Sequence, residues 1–247
     1  MNINNAYKFL SSRQYRVQRA LNIAEHKETM RLRGMARGVE GSTRFCDNVF
    51  YFSDARTFIG SKDEIFNREI YKFNTSSQAP SIIDAGANVG MSVLYFKTLY
   101  PNAKIVAFEP DPTLFDILNR NIHSFSLTGV TTHQCALWKL EGEIDFFREG
   151  NEAGRIKASG VDSYRVKTKR LSAYLDRHVD LLKIDIEGAE VDVLEECKDK
   201  LYLVDRLFVE YHSYTGQQQS LSKLIGLLEE SGFRLHIQDN LPFSETP

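Results

Sequence analysis

Cysteine is scarce: Cys46, Cys135 and Cys197 are the three in 247 residues, and no two form a C-x-x-C pair. That spacing argues against a disulfide framework or a structural zinc site and fits a reducing, cytoplasmic setting. No stretch approaches the roughly 18 apolar residues of a membrane span. The opening "MNINNAYKFLSSRQYRVQRAL" also lacks the apolar run of a signal peptide. An excess of one charge is missing too. The formal net charge of -2 gives no electrostatic reason to expect nucleic acid as a partner. Internal repeats and low-complexity tracts are absent. What is present, at 42% hydrophobic content, suffices for the core of one α/β domain with an extra segment.

The balanced charge hides an asymmetry. Residues 1–40 hold eight Lys or Arg against three Asp or Glu, so this segment carries +5 and the remainder -7. Residues 7–37 have the pattern of one or two polar helices rich in arginine. A solvated face is one reading; a lid or a subunit contact in a homo-oligomer is the other. "NVFYFSDARTFIG" (48–60) predicts strand and "KDEIFNREIYKFN" (62–74) helix, while "TSSQAP" (75–80) is a polar linker. The expected division is a helical and strand extension over 1–78 and a core over 79–247.

Past the linker, strand and helix alternate. "SIIDAG", "AKIVAFE", "GVTTHQCAL", "VDLLKI", "DRLFVEYH" and "RLHIQD" predict strands, and "EGEIDFFRE" a strand in an antiparallel excursion. In "VGMSVLYFKTLY", Val89, Val93, Phe96 and Tyr100 share one helical face, and Pro101 stops the run. Asp111 is placed to cap the next helix, with Pro112 in its first turn. "QQSLSKLIGLLEESGF" predicts a late helix. Near-continuous apolar strands in this rhythm imply a mostly parallel sheet with helices on both faces. Ligands of such sheets bind beyond the carboxyl ends of the strands, where strand order reverses.

The first strand runs into a turn, "DAGANVG", in which Gly86 and Gly90 flank Ala87, Asn88 and Val89. The pattern is G-x-N-x-G and lacks the third glycine of a G-x-G-x-x-G dinucleotide loop. Asp84 precedes it, and a carboxylate there repels a pyrophosphate but suits a cationic ligand such as S-adenosylmethionine. Glu109 ends the next strand, 23 residues past Gly86 and just before Pro110, where an acid can accept hydrogen bonds from ribose hydroxyls. Ala136 and Leu137 end the third strand and offer small, apolar surfaces and backbone amides to an adenine. Trp138 beside them is a stacking candidate or simple packing.

"LLKIDIEGAE" brings a second set of acids. Asp185 ends its strand, Glu187 and Gly188 open the next helix, and Glu190 and Asp192 read as surface residues complementing the helix dipole. In "FVEYH", alternation puts Glu210 and His212 on one side of the neighbouring strand. Asp185, Glu210 and His212 are therefore expected to cluster, with His212 as a general base, Asp185 orienting substrate or cofactor, and Glu210 supporting the histidine. A divalent metal between Asp185 and Glu210 is a further option, to which no ligand set is committed. Arg148, Arg155 and Lys157 read either as contacts for an anionic acceptor or as a solvated loop.

"IIDAGANVGMSVLYF", "IVAFEPDP", "VKTKRLSAYLDRHVDLLKIDIEGAEVDVLE" and "LFVEYHS", in this order, resemble the FkbM-type methyltransferases. The resemblance covers roughly residues 63 to 238, with "KIDIEGAE" as its most specific part. It implies a Rossmann-like class I methyltransferase sheet using S-adenosylmethionine. It also implies methylation of a hydroxyl on a small-molecule or glycan acceptor: a sugar, a polysaccharide, a glycolipid or a polyketide-like product. By position, it places Asp84, Gly86, Asn88 and Gly90 in the cofactor loop, Glu109 at the ribose and Ala136 at the adenine. Asp185, Glu187 and Gly188 face the methyl group, with Glu210 and His212 on the following strand. It further implies a closing antiparallel strand, for which few residues remain after "RLHIQD". The competing readings are a nicotinamide-dependent oxidoreductase of similar fold and a cofactor-binding protein without turnover.

Overall fold

The computed structural model describes residues 12–149, 153–155, 163–214, 216 and 218–238, with the backbone alone at 12–22, 147–149 and 153–155. Helix α1 (Ser12–Arg33) leads to an antiparallel hairpin of β1 (Gly41–Phe45) and β2 (Asn48–Phe52). Asp54 then ends the extended run. Its carboxylate accepts from the Arg56 and Thr57 amides and caps α2 (Ala55–Lys62), so the strand expected over 48–60 stops at Phe52. The helix expected over 62–74 is corrected as well. A single π turn (Asp63–Asn67) follows α2, and Glu69, at φ 54°, has left helical space.

Five strands build the central sheet: β3 (Ser81–Ala85), β4 (Lys104–Phe108), β5 (Val130–His133), β10 (Leu181–Ile184) and β11 (Leu207–Val209). All pair in parallel, in the order β11-β10-β3-β4-β5. The order reverses between β3 and β10, which is where the ligand pole of such a sheet lies. Helices α3 (Met91–Leu99), α4 (Pro112–Ser124), α5 (Glu190–Cys197) and α6 (Leu221–Glu230) cover it. As expected, Asp111 caps α4, accepting from the Thr113 and Leu114 amides.

Alternation along the strands sorts the core into two halves. Ile82 and Leu181 pack with Phe96, Ile117 and the N-terminal Phe50, Phe52 and Phe58. Ile83, Ala85, Leu182 and Ile184 face Val193, Leu194 and Leu224 on the other side. The N-terminal hairpin thus shares one core with α3 and α4. Asn121 of α4 stitches it down, accepting from the Tyr51 amide at 2.8 Å and donating to the carbonyls of Tyr51 and Val89.

A second sheet comprises β6 (Ala136–Leu137), β7 (Gly142–Glu149), β8 (Ala153–Arg155) and β9 (Ser163–Lys169), ordered β6-β9-β7-β8. It contains the expected antiparallel excursion. "GVTTHQCAL" is two strands, because the Cys135 amide turns back to the His133 carbonyl and Ala136 then pairs with Thr168. Two further expectations are shortened. "DRLFVEYH" is strand only at Leu207–Val209, and the described part of "RLHIQD" forms none, leaving Leu235 and Ile237 exposed with no sheet face to cover. Among the described residues, no helix is long and apolar enough to cross a membrane.

Candidate active site

Register explains how acids distant in sequence meet. Val209, Ile184, Ala85, Phe108 and His133 form one row across the five carboxyl ends of the sheet. The next residues along four of these strands are Glu210, Asp185, Gly86 and Glu109. Their amides extend the ladder, donating to Ile184, Ala85, Phe108 and His133 carbonyls respectively.

A solvent-open cleft of about 590 Å³ lies over this rung. Gly86, Asn88, Glu109 and Pro110 line one side, Ala136 and Leu137 the next, and Asp185 and Glu187 the far end. Sequence reasoning missed Phe146, which reaches the cleft from the second sheet, and Leu114 of α4. The Tyr164 hydroxyl fixes that sheet to α4 through Asp111, at 2.7 Å. Trp138 is buried in the apolar core behind β6 and does not line the cleft. The Arg148 and Arg155 side chains and the whole of Lys157 lie outside the described residues.

Gly86 has φ 81°, and a Cβ there would stand 1.8 Å from the Asp185 carbonyl oxygen, so the turn and the end of β10 touch backbone to backbone. Asn88, at φ 49°, accepts from the Val89 amide with its own side chain. Ala87 and Gly90 shape the turn from behind and do not line the cleft: Ala87 is buried, and Gly90 opens α3 against Leu118. Glu109 braces the same turn. Its carboxylate accepts from the Asn88 amide and the Asp111 amide, each at 2.9 Å. Burial pushes its pKa up to about 8, against the pull of those two amides. Glu109→Ala removes both bonds, at about 1–3 kcal/mol for partners left unpaired. The melting temperature should then fall by about 2–4 °C per kcal/mol lost, read by thermal unfolding.

Asp84 requires a correction. It was expected at the ligand, but it is fully buried beneath the turn, held by the Ser92 hydroxyl at 2.5 Å and by Lys183, whose Nζ lies 3.2 Å away. Lys183 and Asp84 are register partners on adjacent strands, so their side chains share a face. Asp84 therefore lies beneath the turn and does not line the cleft.

The expected cluster at the far end forms, with a different supporting acid. His212 Nε2 lies 3.9 Å from Asp185 and 3.6 Å from Glu187. Its Nδ1 is 2.9 Å from Glu190, a residue expected on the surface but buried, with 1% of its side chain exposed. Glu187 at φ 54° and Gly188 at φ 96° reverse the chain ahead of α5 and turn Glu190 inward. There its Oε1 also accepts from the Ile186 and Gly188 amides. Glu210 makes no hydrogen bond to His212 among the described residues. Gly188 stands under the Tyr214 ring, outside the cleft, and the Tyr214 hydroxyl donates to Glu187 at 2.9 Å.

Charge follows this geometry. Burial alone would lower the His212 pKa, but the Glu190 bond and the charges of Glu187, Glu190 and Asp185 outweigh it and push it up to about 9. Burial and then the Asp185 charge push Glu210 up to about 7. Glu64, on the π turn of the N-terminal segment, is raised by burial and feels Asp185. Asp185, Glu187 and His212 offer ligand atoms within 4.8 Å of one another, a set able to take a divalent cation. The Lys183 ammonium, 3.3 Å from Asp185, already compensates part of that charge.

Residues 84–235 match the Methyltransferase FkbM domain. Methyltransferase sdnD of Sordaria araneosa is 32% identical over 209 residues, spanning 69% of this chain and 80% of that protein. 2-O-methyltransferase NoeI of Sinorhizobium fredii (strain NBRC 101917 / NGR234) is 27% identical over 164 residues, spanning 56% of this chain and 67% of that one. The crystal structure of Methyltransferase FkbM from Methylobacillus flagellatus KT superposes with a TM-score of 0.50 at 18% identity, over 68% of this chain and 41% of the longer solved chain. With the cleft at the strand-order reversal and the family match spanning β3 to the end of α6, the chain belongs to the FkbM methyltransferase family.

Proposed function

We propose that this methyltransferase moves the methyl group of S-adenosylmethionine to a hydroxyl of a sugar, a glycan or a glycosylated or polyketide-like product. The observation that carries this reading is the rung of Gly86, Glu109 and Asp185 around one cleft. It sets a glycine turn, an acid for a ribose and an acid for a cationic group at three adjacent strand ends. The residues fit the cofactor. Glu109 lines the cleft beside the glycine turn, Ala136 and Leu137 give an apolar wall, and Asp185 stands at the far end. The name of one relative, a 2-O-methyltransferase, supports an oxygen acceptor.

S-adenosylmethionine supplies the transferable methyl group when bound. The chain supplies position and proton transfer. Asp185 and Glu187 orient the acceptor at the open end of the cleft, and His212 accepts the hydroxyl proton at Nε2 while Glu190 holds Nδ1. The N-terminal segment forms the acceptor's outer wall, carrying Glu64 towards Asp185. Asp185 and Glu187 give this end of the cleft an acidic lining, which favours an uncharged polyol over an acidic sugar. A divalent cation at Asp185, Glu187 and His212 would occupy the Nε2 that serves as base, so this reading expects turnover undiminished by EDTA.

Calorimetry is expected to show S-adenosylhomocysteine binding at micromolar Kd or better, with NAD at least about 100-fold weaker, a gap of roughly 2.7 kcal/mol. Equal binding of the two would return the site to a dinucleotide reading. Binding without methyl transfer to any of a panel of sugars and glycosylated products would favour a cofactor-binding protein.

A further inference from the structure

Lys183 is a buried cation to which the proposed chemistry gives no role. Its side chain is 2% exposed in the middle of β10. The ammonium donates to the Gly86 carbonyl at 2.6 Å and lies 3.2 Å from Asp84 Oδ1 and 3.3 Å from Asp185 Oδ2. The Gly86 contact is a hydrogen bond, while the two carboxylates are held as ion pairs, Asp84 Oδ1 having no hydrogen bond of its own among the described residues. The Tyr71 ring of the N-terminal segment covers it, with the ammonium 5.6 Å from the ring centroid.

A counterion for Asp84 alone would need one of these contacts. The other two sit at the ligand edge. The peptide joining Gly86 to Ala87 is held at both of its poles: its carbonyl by Lys183 from β10, and its N–H by the Phe108 carbonyl of β4, at 2.9 Å. A planar trans peptide gripped on opposite sides cannot rotate. The next amide, that of Asn88, is thereby aimed at Glu109. The same ammonium holds the carboxylate of Asp185 at the opposite end of the cleft.

We infer that Lys183 is a positioning residue that locks the cofactor turn and the Asp185 carboxylate in one fixed relation, acting through the Gly86 carbonyl and without touching the ligand. The inference rests on the S-adenosylmethionine reading for its consequence in binding, but the lock itself is a property of the free protein.

The test uses the full chain with Lys183→Met and with Asp84→Asn/Lys183→Met, which removes both buried charges together and so restores folding if the single variant loses it. Melting temperature, hydrogen exchange in the turn, S-adenosylhomocysteine affinity and kcat are read for each. The single variant leaves Asp84 buried without its cation, so its melting temperature should fall further below wild type as pH rises, and the double variant should lose that dependence. In the folded double variant, the amides of Ala87 and Asn88 should exchange at least about tenfold faster while those of β3 and β4 keep their protection. Affinity for S-adenosylhomocysteine should drop about tenfold or more. A double variant with wild-type exchange in the turn, affinity and kcat would reduce Lys183 to a counterion and overturn the inference. Failure of the wild-type protein to bind S-adenosylhomocysteine would sink the cofactor reading instead, and turn exchange would still decide the lock.

Discussion

Gly86→Ala is expected to lose S-adenosylhomocysteine binding by at least about 100-fold, or roughly 2.7 kcal/mol, the largest effect of any small substitution in the cleft. Two costs add at this position. An L-residue at φ 81° carries the left-handed penalty of about 1–2 kcal/mol. The new methyl group also starts 1.8 Å from the Asp185 carbonyl oxygen, a backbone atom with no side-chain freedom to yield. Relief requires parting β3 from β10 at the site of the ligand, and such overpacking costs about 1–3 kcal/mol more. Gly90→Ala is the informative control. Its φ of 89° carries the same conformational penalty, but its Cβ meets the Leu118 Cδ1 atom at 2.7 Å, the tip of a flexible side chain. It should lose stability and keep most of its affinity. Calorimetry on both variants separates the readings, and a Gly86→Ala protein that binds as wild type would remove the turn from the cofactor site.

His212→Ala should lower kcat about 100- to 10,000-fold, the range of a positioned general base, with S-adenosylhomocysteine affinity within about threefold of wild type. The pH dependence distinguishes this base from its neighbours. Burial disfavours the imidazolium, but Glu190, Glu187 and Asp185 together favour it more strongly, so the pKa stands near 9. A base must shed its own proton first, so kcat should climb about tenfold per pH unit through neutrality and level off near pH 9. Glu210, whose carboxyl sits near 7, would instead give a profile levelling near neutrality. Glu190→Gln sharpens the comparison. The amide keeps an oxygen for the Ile186 and Gly188 amides and for Nδ1 but removes the charge, so the His212 midpoint should fall by about one unit or more. A near-normal rate in His212→Ala would pass the role to Glu210 or Asp185.

The parts of this site that were legible in the sequence are those set by local pattern. An apolar strand followed by "DAGANVG" announces a turn at a sheet edge, and Glu109 and Asp185 fall at the ends of equally clear strands. Asp84 and Lys183 were not legible as a pair, because their contact depends on the register of β3 with β10, which no local window contains. Glu190 was assigned to the surface by the reasoning that suits most acids in a first helical turn. Two consecutive residues of positive φ, one of them Glu187, rotate it into the interior, and only the Gly188 in "IEGAE" hinted at them. The helix expected over 62–74 continued an apolar spacing that is real: Ile65 is buried and Phe66 packs on Tyr95. The backbone bends away all the same, because Glu69 sits in a conformation that helices do not use.

The row of strand ends has a consequence for how this chain can change. Every group at the rung owes its place to the count of residues within β3, β4, β10 and β11, of which β10 has four and β11 three. Deleting one residue inside β10 would swing Lys183 to the α5 side and draw Ile186 to the edge in place of Asp185, inverting the chemistry in one step. The turns that follow β3, β10 and β11 share this arithmetic, because Asn88, Glu190 and His212 are placed by them. Length variation is therefore free to accumulate only in connections away from this edge, while the strands and these turns keep their number.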